Sequence, residues 1–227
     1  MDREFWYERW EKKQIAFHLD KANAMLVKHF SELAVEPGAR VLVPLCGKTL
    51  DIHWLLAQGY KVVGVELSEL AIEELFTELA VEPARIDEGS ILRFESNDID
   101  ILVGDFFEVT KEMIGAVDCI YDRASLIALP QDMRKRYVDH LMKITCLMPQ
   151  LLISLEYDQA VMPGPPFRVD SQEVSHHYDE AYEIRLLQAY DIPGGLKGVC
   201  PGVEKTWLLS PRSVFYTHLT LPTNREV

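Results

Sequence analysis

The feature that most constrains this chain is a regular alternation of short apolar runs with stretches of helical length. Residues 41–45 are apolar, preceded by the breaker Pro37-Gly38 and followed by Gly47-Lys48, and read as a short buried strand. A helix is expected near 48–58. A second strand is expected at 61–67 and a helix near 69–80. A third strand lies within 98–107 and a fourth at Cys119-Ile120-Tyr121, with a helix near 131–148 and a fifth strand at 151–155. Strands separated by helices of this length build right-handed crossovers, so the sheet is parallel and covered on both faces. Two more strands, near 183–190 and 203–209, are joined by a Pro/Gly-rich turn and are expected as an antiparallel hairpin at one edge. The expected fold is therefore α/β, a doubly wound, mainly parallel, seven-stranded sheet with helices on both faces.

An N-terminal segment, roughly 3–33, reads as helical. Trp6 and Trp10 lie four apart and share a helix face, and a second helix from about 20 to 33 carries Ala24, Leu26, Val27 and Phe30. With 227 residues, nearly half of them hydrophobic, one large domain is expected over 1–210, the segment of about 1–35 covering its ligand site. Beyond it, Phe215 to Pro222 has no evident partner strand, and 211–227 is expected to be a tail, foreign to the domain.

The net charge of −13 argues against a nucleic-acid partner and against docking on an anionic membrane. A small molecule is the expected partner, and a monomer the expected state. Cys46, Cys119, Cys146 and Cys200 are widely spaced, which suits reduced thiols of a cytoplasmic protein better than a disulfide framework or a zinc site. No metal is expected. His176-His177 reads as part of an exposed helix.

In open α/β sheets, ligands bind beyond the carboxyl ends of the strands. The first strand ends Pro44-Leu45-Cys46-Gly47-Lys48, where Gly47 lets the backbone approach a ligand. The second ends in Glu66, 19 residues after Gly47, where a carboxylate can accept both hydroxyls of an adenosine ribose. At an open strand end this side chain is expected to be solvated without ligand, so its removal should change stability little. The third ends Gly104-Asp105-Phe106, and the fourth Tyr121-Asp122-Arg123. A dinucleotide site needs a G-x-G-x-x-G turn to seat its pyrophosphate, and only Gly47 is present here. S-adenosylmethionine carries no phosphate, and its carboxylate suits Arg123. A structural pair of Arg123 with Asp122 or Asp105 is the other reading. Cys46 reads as a small residue in a tight turn, and Trp6 as a core aromatic. Asp20 and Asp158 are candidate proton acceptors.

The runs Val43-Pro44-Leu45-Cys46-Gly47-Lys48, Val62-Val63-Gly64-Val65-Glu66-Leu67-Ser68, Tyr121-Asp122-Arg123-Ala124 and Pro163-Gly164-Pro165-Pro166-Phe167, with Phe5-Trp6-x-x-x-Trp10 and Ala16-Phe17-His18, together resemble the thiopurine S-methyltransferase family. The resemblance runs in order from about residue 5 to 209. It implies the Rossmann-like fold of class I S-adenosylmethionine-dependent methyltransferases, with S-adenosylmethionine as cofactor and S-adenosylhomocysteine as product. It implies cofactor contacts from Trp10, Leu45, Gly47, Glu66 and Arg123, with Asp105 and Phe106 near the adenine. Phe17, Pro165 and Pro166 match positions that line the acceptor pocket. In some members a basic residue near the C-terminal hairpin contacts the acceptor, and Lys197 is what this chain offers there.

The resemblance implies methyl transfer to the sulfur of thiopurines or other aromatic or heterocyclic thiols by in-line displacement. The leaving group is a neutral thioether and needs no acid, and a soft thiol needs little help from a base. Alignment and exclusion of water then carry most of the rate, with Arg123 as the catalytic residue that stabilises an anionic acceptor. Alternatives are a methyltransferase for selenium or tellurium compounds or other small soft nucleophiles, a nicotinamide-dependent oxidoreductase, and a silent module that kept the fold.

Overall fold

Valine, leucine and isoleucine alternate between the two faces of the central strands, and each face has its own layer of helices to bury against. The computed structural model describes residues 3–14 and 19–212. The chain runs α1 (Arg3–Glu11), α2 (Ala24–His29), β1 (Arg40–Pro44), α3 (Leu50–Ala57), β2 (Lys61–Glu66) and α4 (Glu69–Leu79). It continues through β3 (Ala84–Asp87), β4 (Leu92–Glu95), β5 (Ile99–Val103), α5 (Lys111–Ile114), β6 (Cys119–Arg123) and α6 (Gln131–Thr145). The last elements are β7 (Gln150–Tyr157), α7 (Ser171–Tyr178), β8 (Tyr182–Asp191) and β9 (Gly202–Pro211). Val41, Val43, Ile101, Tyr121 and Ile153 pack with Leu26 and Phe30 and with Ile52, Leu55, Ile72 and Leu75 of α3 and α4. Leu42, Val63, Leu102, Ile120 and Leu152 turn the other way, onto Tyr137, Val138 and Leu141 of α6 and Val174 and Tyr178 of α7. This is the period of two that a strand imposes.

The sheet order is β3-β4-β5-β2-β1-β6-β7-β9-β8. β5, β2, β1, β6 and β7 are parallel, and the β8–β9 hairpin closes one edge antiparallel to β7. The seven expected strands are all present, but the sheet has nine. The extra pair, β3 and β4, forms an antiparallel hairpin on the free edge of β5. Every residue of β3 is exposed, so it carries no apolar run to read. Its Arg85 pairs with Glu73 at 2.8 Å and lies over the Phe94 ring, the kind of charged, short edge that resists pairing with another sheet.

The final strand reaches Pro211, and the Arg212 N–H bonds the Ala181 carbonyl at 2.9 Å, so these two residues belong to the hairpin and not to a tail. The rest of the expected tail, 213–227, lies outside the described residues, as do Phe17 and His18. Among the described residues no helix is long and apolar enough to cross a membrane.

The chain adds β1, β2 and β5 in one direction along the sheet and β6 and β7 in the other. The order therefore reverses between β1 and β6, and a crevice opens above their carboxyl ends. Ser125 ties the two ends together, its hydroxyl donating to the Pro44 carbonyl at 2.6 Å.

Candidate active site

A cavity of about 430 Å³ occupies this crevice. That is the size of a small-molecule site. Its floor is the ends of β1, β2, β6 and β7 with the first turn of α3. Its walls come from α1, from Pro165 and Pro166, and from Ile192, Leu196 and Lys197 of the β8–β9 loop. Three lining residues other than glycine, Leu45 after β1, Ala124 after β6 and Lys197 in the β8–β9 loop, have left-handed backbones with φ of 45°, 64° and 52°. For residues other than glycine this conformation costs on the order of 1 kcal/mol or more, and it gathers at sites that need it. Here it turns the chain sharply away from the crevice at both strand ends.

Gly47 also has positive φ, 52°, and a Cβ placed on it would stand 3.0 Å from Cζ2 of Trp10. The α1 helix is thus laid directly on the turn after β1, with the Trp10 ring 5% exposed in the cavity wall. Glu66 closes the same turn from β2. Its Oε2 accepts the Gly47 N–H at 2.8 Å, and its Oε1 accepts those of Leu67 at 2.8 Å and Ser68 at 2.9 Å. The side chain is 7% exposed. The expectation of a solvated Glu66 is therefore corrected: three backbone donors hold it inside the protein. Burial pushes its carboxyl up, and the three N–H groups pull against that. Cys46 packs over Gly64, and burial, then Glu66, raise its thiol well above the usual range, which suits a packing residue and not a nucleophile.

On the other side of the switch point, Arg123 pairs with Asp51, Nη1 to Oδ2 at 3.2 Å. Its expected structural partners, Asp122 and Asp105, are engaged elsewhere. Asp122 accepts the Tyr137 hydroxyl at 2.7 Å, and Asp105 pairs with Arg3 and caps the Phe107 N–H. Asp51 is 1% exposed and also takes the Tyr121 hydroxyl at 2.9 Å and the Asn23 backbone N–H at 2.7 Å. Asn23 caps α2, its Oδ1 accepting from Met25 and Leu26, which turns its Nδ2 toward Glu204 Oε1 at 3.4 Å. The Pro-Pro wall is held by the Tyr157 hydroxyl on the Pro166 carbonyl at 2.6 Å and, from within the cavity wall, by Lys197 on the Pro165 carbonyl at 3.1 Å.

Trp10, Leu45, Gly47, Glu66, Arg123, Pro165 and Pro166 all line this one cavity. Asp105 and Phe106 do not. They follow β5, beyond β2, and the Phe106 ring is buried between Tyr137 and His140, at centroid distances of 5.0 and 5.2 Å. Trp6 is in the cavity lining, where the sequence suggested a core aromatic. Asp20 and Asp158 are exposed and outside the lining. His177 is tucked against Glu173 at 3.5 Å, and only His176 is exposed as expected of that helix. Sequence reading missed Asn23, Asp51, Tyr121 and Glu204. Only Asp51 carried a signal, an acid in the first helical turn after the glycine loop.

A switch-point cavity on a sheet of this order defines a class of enzyme. The fold is that of the S-adenosylmethionine-dependent methyltransferases. It matches the crystal structure of Burkholderia thailandensis 1,6-didemethyltoxoflavin-N1-methyltransferase, solved with 1,6-didemethyltoxoflavin and S-adenosylhomocysteine bound. The TM-score is 0.63 at 15% identity, over 92% of this chain and 87% of that one. Within that class the chain belongs to the family described as thiopurine S-methyltransferase (TPMT), whose sequence profile matches residues 1–205. It is 51% identical over 210 residues to the thiopurine S-methyltransferase of Xanthobacter autotrophicus, covering 92% of this chain and 99% of the relative. It is 43% identical over 207 residues to that of Gluconobacter oxydans, covering 91% and 94%. It is an S-adenosylmethionine-dependent methyltransferase of this family.

Proposed function

We propose that this enzyme moves a methyl group from S-adenosylmethionine to the sulfur of a thiopurine or another aromatic or heterocyclic thiol. The observation that carries the reading is the single cavity that joins the Glu66–Gly47–Trp10 cluster to Arg123 and the Pro165-Pro166 wall. The cofactor supplies an electrophilic methyl group on a sulfonium. Glu66 fits its ribose: a carboxylate has about four lone-pair positions, and backbone donors take three, leaving room on Oε2 for a hydroxyl. Gly47 and Leu45 let the backbone approach the ligand, and the Trp10 face attracts its cation. Arg123 offers a positive charge to the cofactor carboxylate or to an anionic sulfur, while Asp51 and Tyr121 hold its position. The Pro-Pro wall and the loop around Leu196 exclude water and align the acceptor in line with the methyl group. That positioning is worth up to roughly 7–11 kcal/mol.

The same reading takes residues 1–212 as one domain, with the N-terminal segment covering the cofactor, and 213–227 as foreign to it. It takes the chain as a monomer that works in the cytoplasm on small molecules, without nucleic acid, membrane or metal. The matched span of the Xanthobacter relative, 99% of that protein against 92% of this chain, supports the domain limits.

The test is calorimetry with S-adenosylhomocysteine and NAD, followed by turnover of labelled S-adenosylmethionine with aromatic thiols, selenols and tellurite. Tight binding of the sulfur nucleoside alone and labelled thioether as the main product are expected. Binding of NAD with similar strength, or labelling of tellurite in preference to every thiol, overturns the reading.

A further inference from the structure

We propose, on the reading that the acceptor is a thiol, that Glu204 is the group that takes the acceptor's S–H proton as its sulfur is methylated. Among the described residues three carboxylates line the cavity, and two are already committed. Glu66 is held by three backbone N–H groups, and Asp51 by the Asn23 N–H, the Tyr121 hydroxyl and Arg123. Asp51 is moreover only 1% exposed. Glu204 is half-buried at the cavity end of β9, beside Leu155 of β7, and the described contact to its carboxylate is the long one, 3.4 Å, from Asn23.

That contact has a fixed direction. Because the Asn23 Oδ1 caps α2, its amide can present only donor hydrogens to Glu204. A donor there favours the charged carboxylate before transfer, and its length leaves lone pairs for a proton. Burial, the largest influence, and the nearby Asp51 push the Glu204 carboxyl up, while Asn23 and Arg123 pull it down, with the balance upward. A carboxylate whose carboxyl is raised is a better match to a thiol than an ordinary one. The other charged or titratable groups around it are accounted for. Tyr121 donates to Asp51, Tyr190 lies opposite on β8, Lys205 turns to the other face to pair with Glu156, and Arg9 and Lys197 stand on the outer walls.

The step balances. A sulfur–carbon bond forms at the acceptor as the methyl–sulfonium bond breaks, and that bonding pair stays on the departing thioether. The acceptor's S–H bond breaks, and the proton passes to Glu204 and then to water. The positive charge of the sulfonium thus leaves as this proton. Glu204 would matter for acceptors that arrive protonated and be idle for those already ionised.

The experiment compares wild type with Glu204→Gln on ring-substituted thiophenols whose thiol pKa values fall on both sides of the assay pH. S-adenosylhomocysteine affinity and melting temperature are measured alongside. Expected is a loss in kcat/KM of about 10²-fold for protonated thiols, under about threefold for ionised ones, and recovery as pH rises through the thiol's own pKa. Affinity and melting should hardly move. An equal loss across the series, or none, overturns the proposal. If Glu204→Gln does not fold, Glu204→Asp is read the same way, a graded loss supporting the role and a uniform one refuting it. Wild type that binds S-adenosylhomocysteine yet methylates no thiol would instead remove the thiol reading itself, and the proposal with it.

Discussion

The Glu66 carboxylate accepts the Gly47 N–H at 2.8 Å, joining the end of β2 to the turn after β1. One side chain thus does two jobs. It fixes the backbone of the turn after β1, and it presents its remaining lone pair to the crevice, where the proposed ribose would sit. Glu66→Ala should therefore lower both properties. Loss of its bonds to Gly47, Leu67 and Ser68 strands backbone donors, at about 1–3 kcal/mol in stability after relief of the buried charge. Affinity for S-adenosylhomocysteine should fall at least tenfold. Glu66→Gln should be no milder in stability, since its amide NH₂ must face either Gly47 or the Leu67 and Ser68 donors. Chemical denaturation and calorimetry on the three proteins check this. A variant with unchanged stability and unchanged affinity would show that Glu66 is dispensable to both turn and ligand.

This dual role also marks what could and could not be read from sequence. The parallel strands were legible because Val41–Val43, Val62–Val65 and Leu151–Ile153 are buried on both faces and so are continuously apolar. Glu66 stood out as an acid at the end of such a run. Its burial did not, because the three donors that stabilise it are backbone groups without a sequence signature. β3 was illegible because an edge strand needs no apolar residues. Asn23 and Glu204 are 181 residues apart and meet only because β9 is inserted next to β7, a pairing no local pattern encodes. Asp51, an acid in the first turn of α3 after the glycine loop, was the available hint.

Gly47 and Trp10 form a second testable couple. Any Cβ at position 47 would press on the indole at 3.0 Å, and φ of 52° disfavours a side chain there in any case. Gly47→Ala should cost roughly 1 kcal/mol in stability and push α1 off the turn. S-adenosylhomocysteine binding should weaken about tenfold, roughly 1.4 kcal/mol. Trp10→Ala should also weaken binding. Because the two act through one contact, the double variant should bind no worse than Trp10→Ala alone, and a double-mutant cycle by calorimetry measures this. Simple additivity of the two losses would mean that Gly47 acts on the ligand without Trp10.

Asp122 immediately precedes Arg123 and faces away from the cavity, fully buried, where it accepts the Tyr137 hydroxyl at 2.7 Å and the Leu126 N–H at 3.4 Å. It anchors the turn that presents Arg123 and Ala124 to the crevice. Burial raises its carboxyl from 3.8 to about 6, against the pull of Tyr137 and the Leu126 and Ser125 N–H groups. The folded chain thus holds this proton more tightly than the unfolded one. Its contribution to stability is whole below pH 3.8, declines as pH rises, and is gone above about 6. A shift of about two units corresponds to roughly 3 kcal/mol across that window. Asp122→Asn keeps an acceptor for Tyr137 but cannot titrate, so taking the difference between the two proteins cancels the other carboxylates. Denaturant unfolding at intervals from pH 4 to 7 should show wild type losing stability relative to Asp122→Asn as pH rises to about 6, then running parallel to it. A difference that is flat throughout, or that grows in favour of wild type, would show that Asp122 is ionised with ease in the folded protein and that its network, not its proton, holds the Arg123 turn.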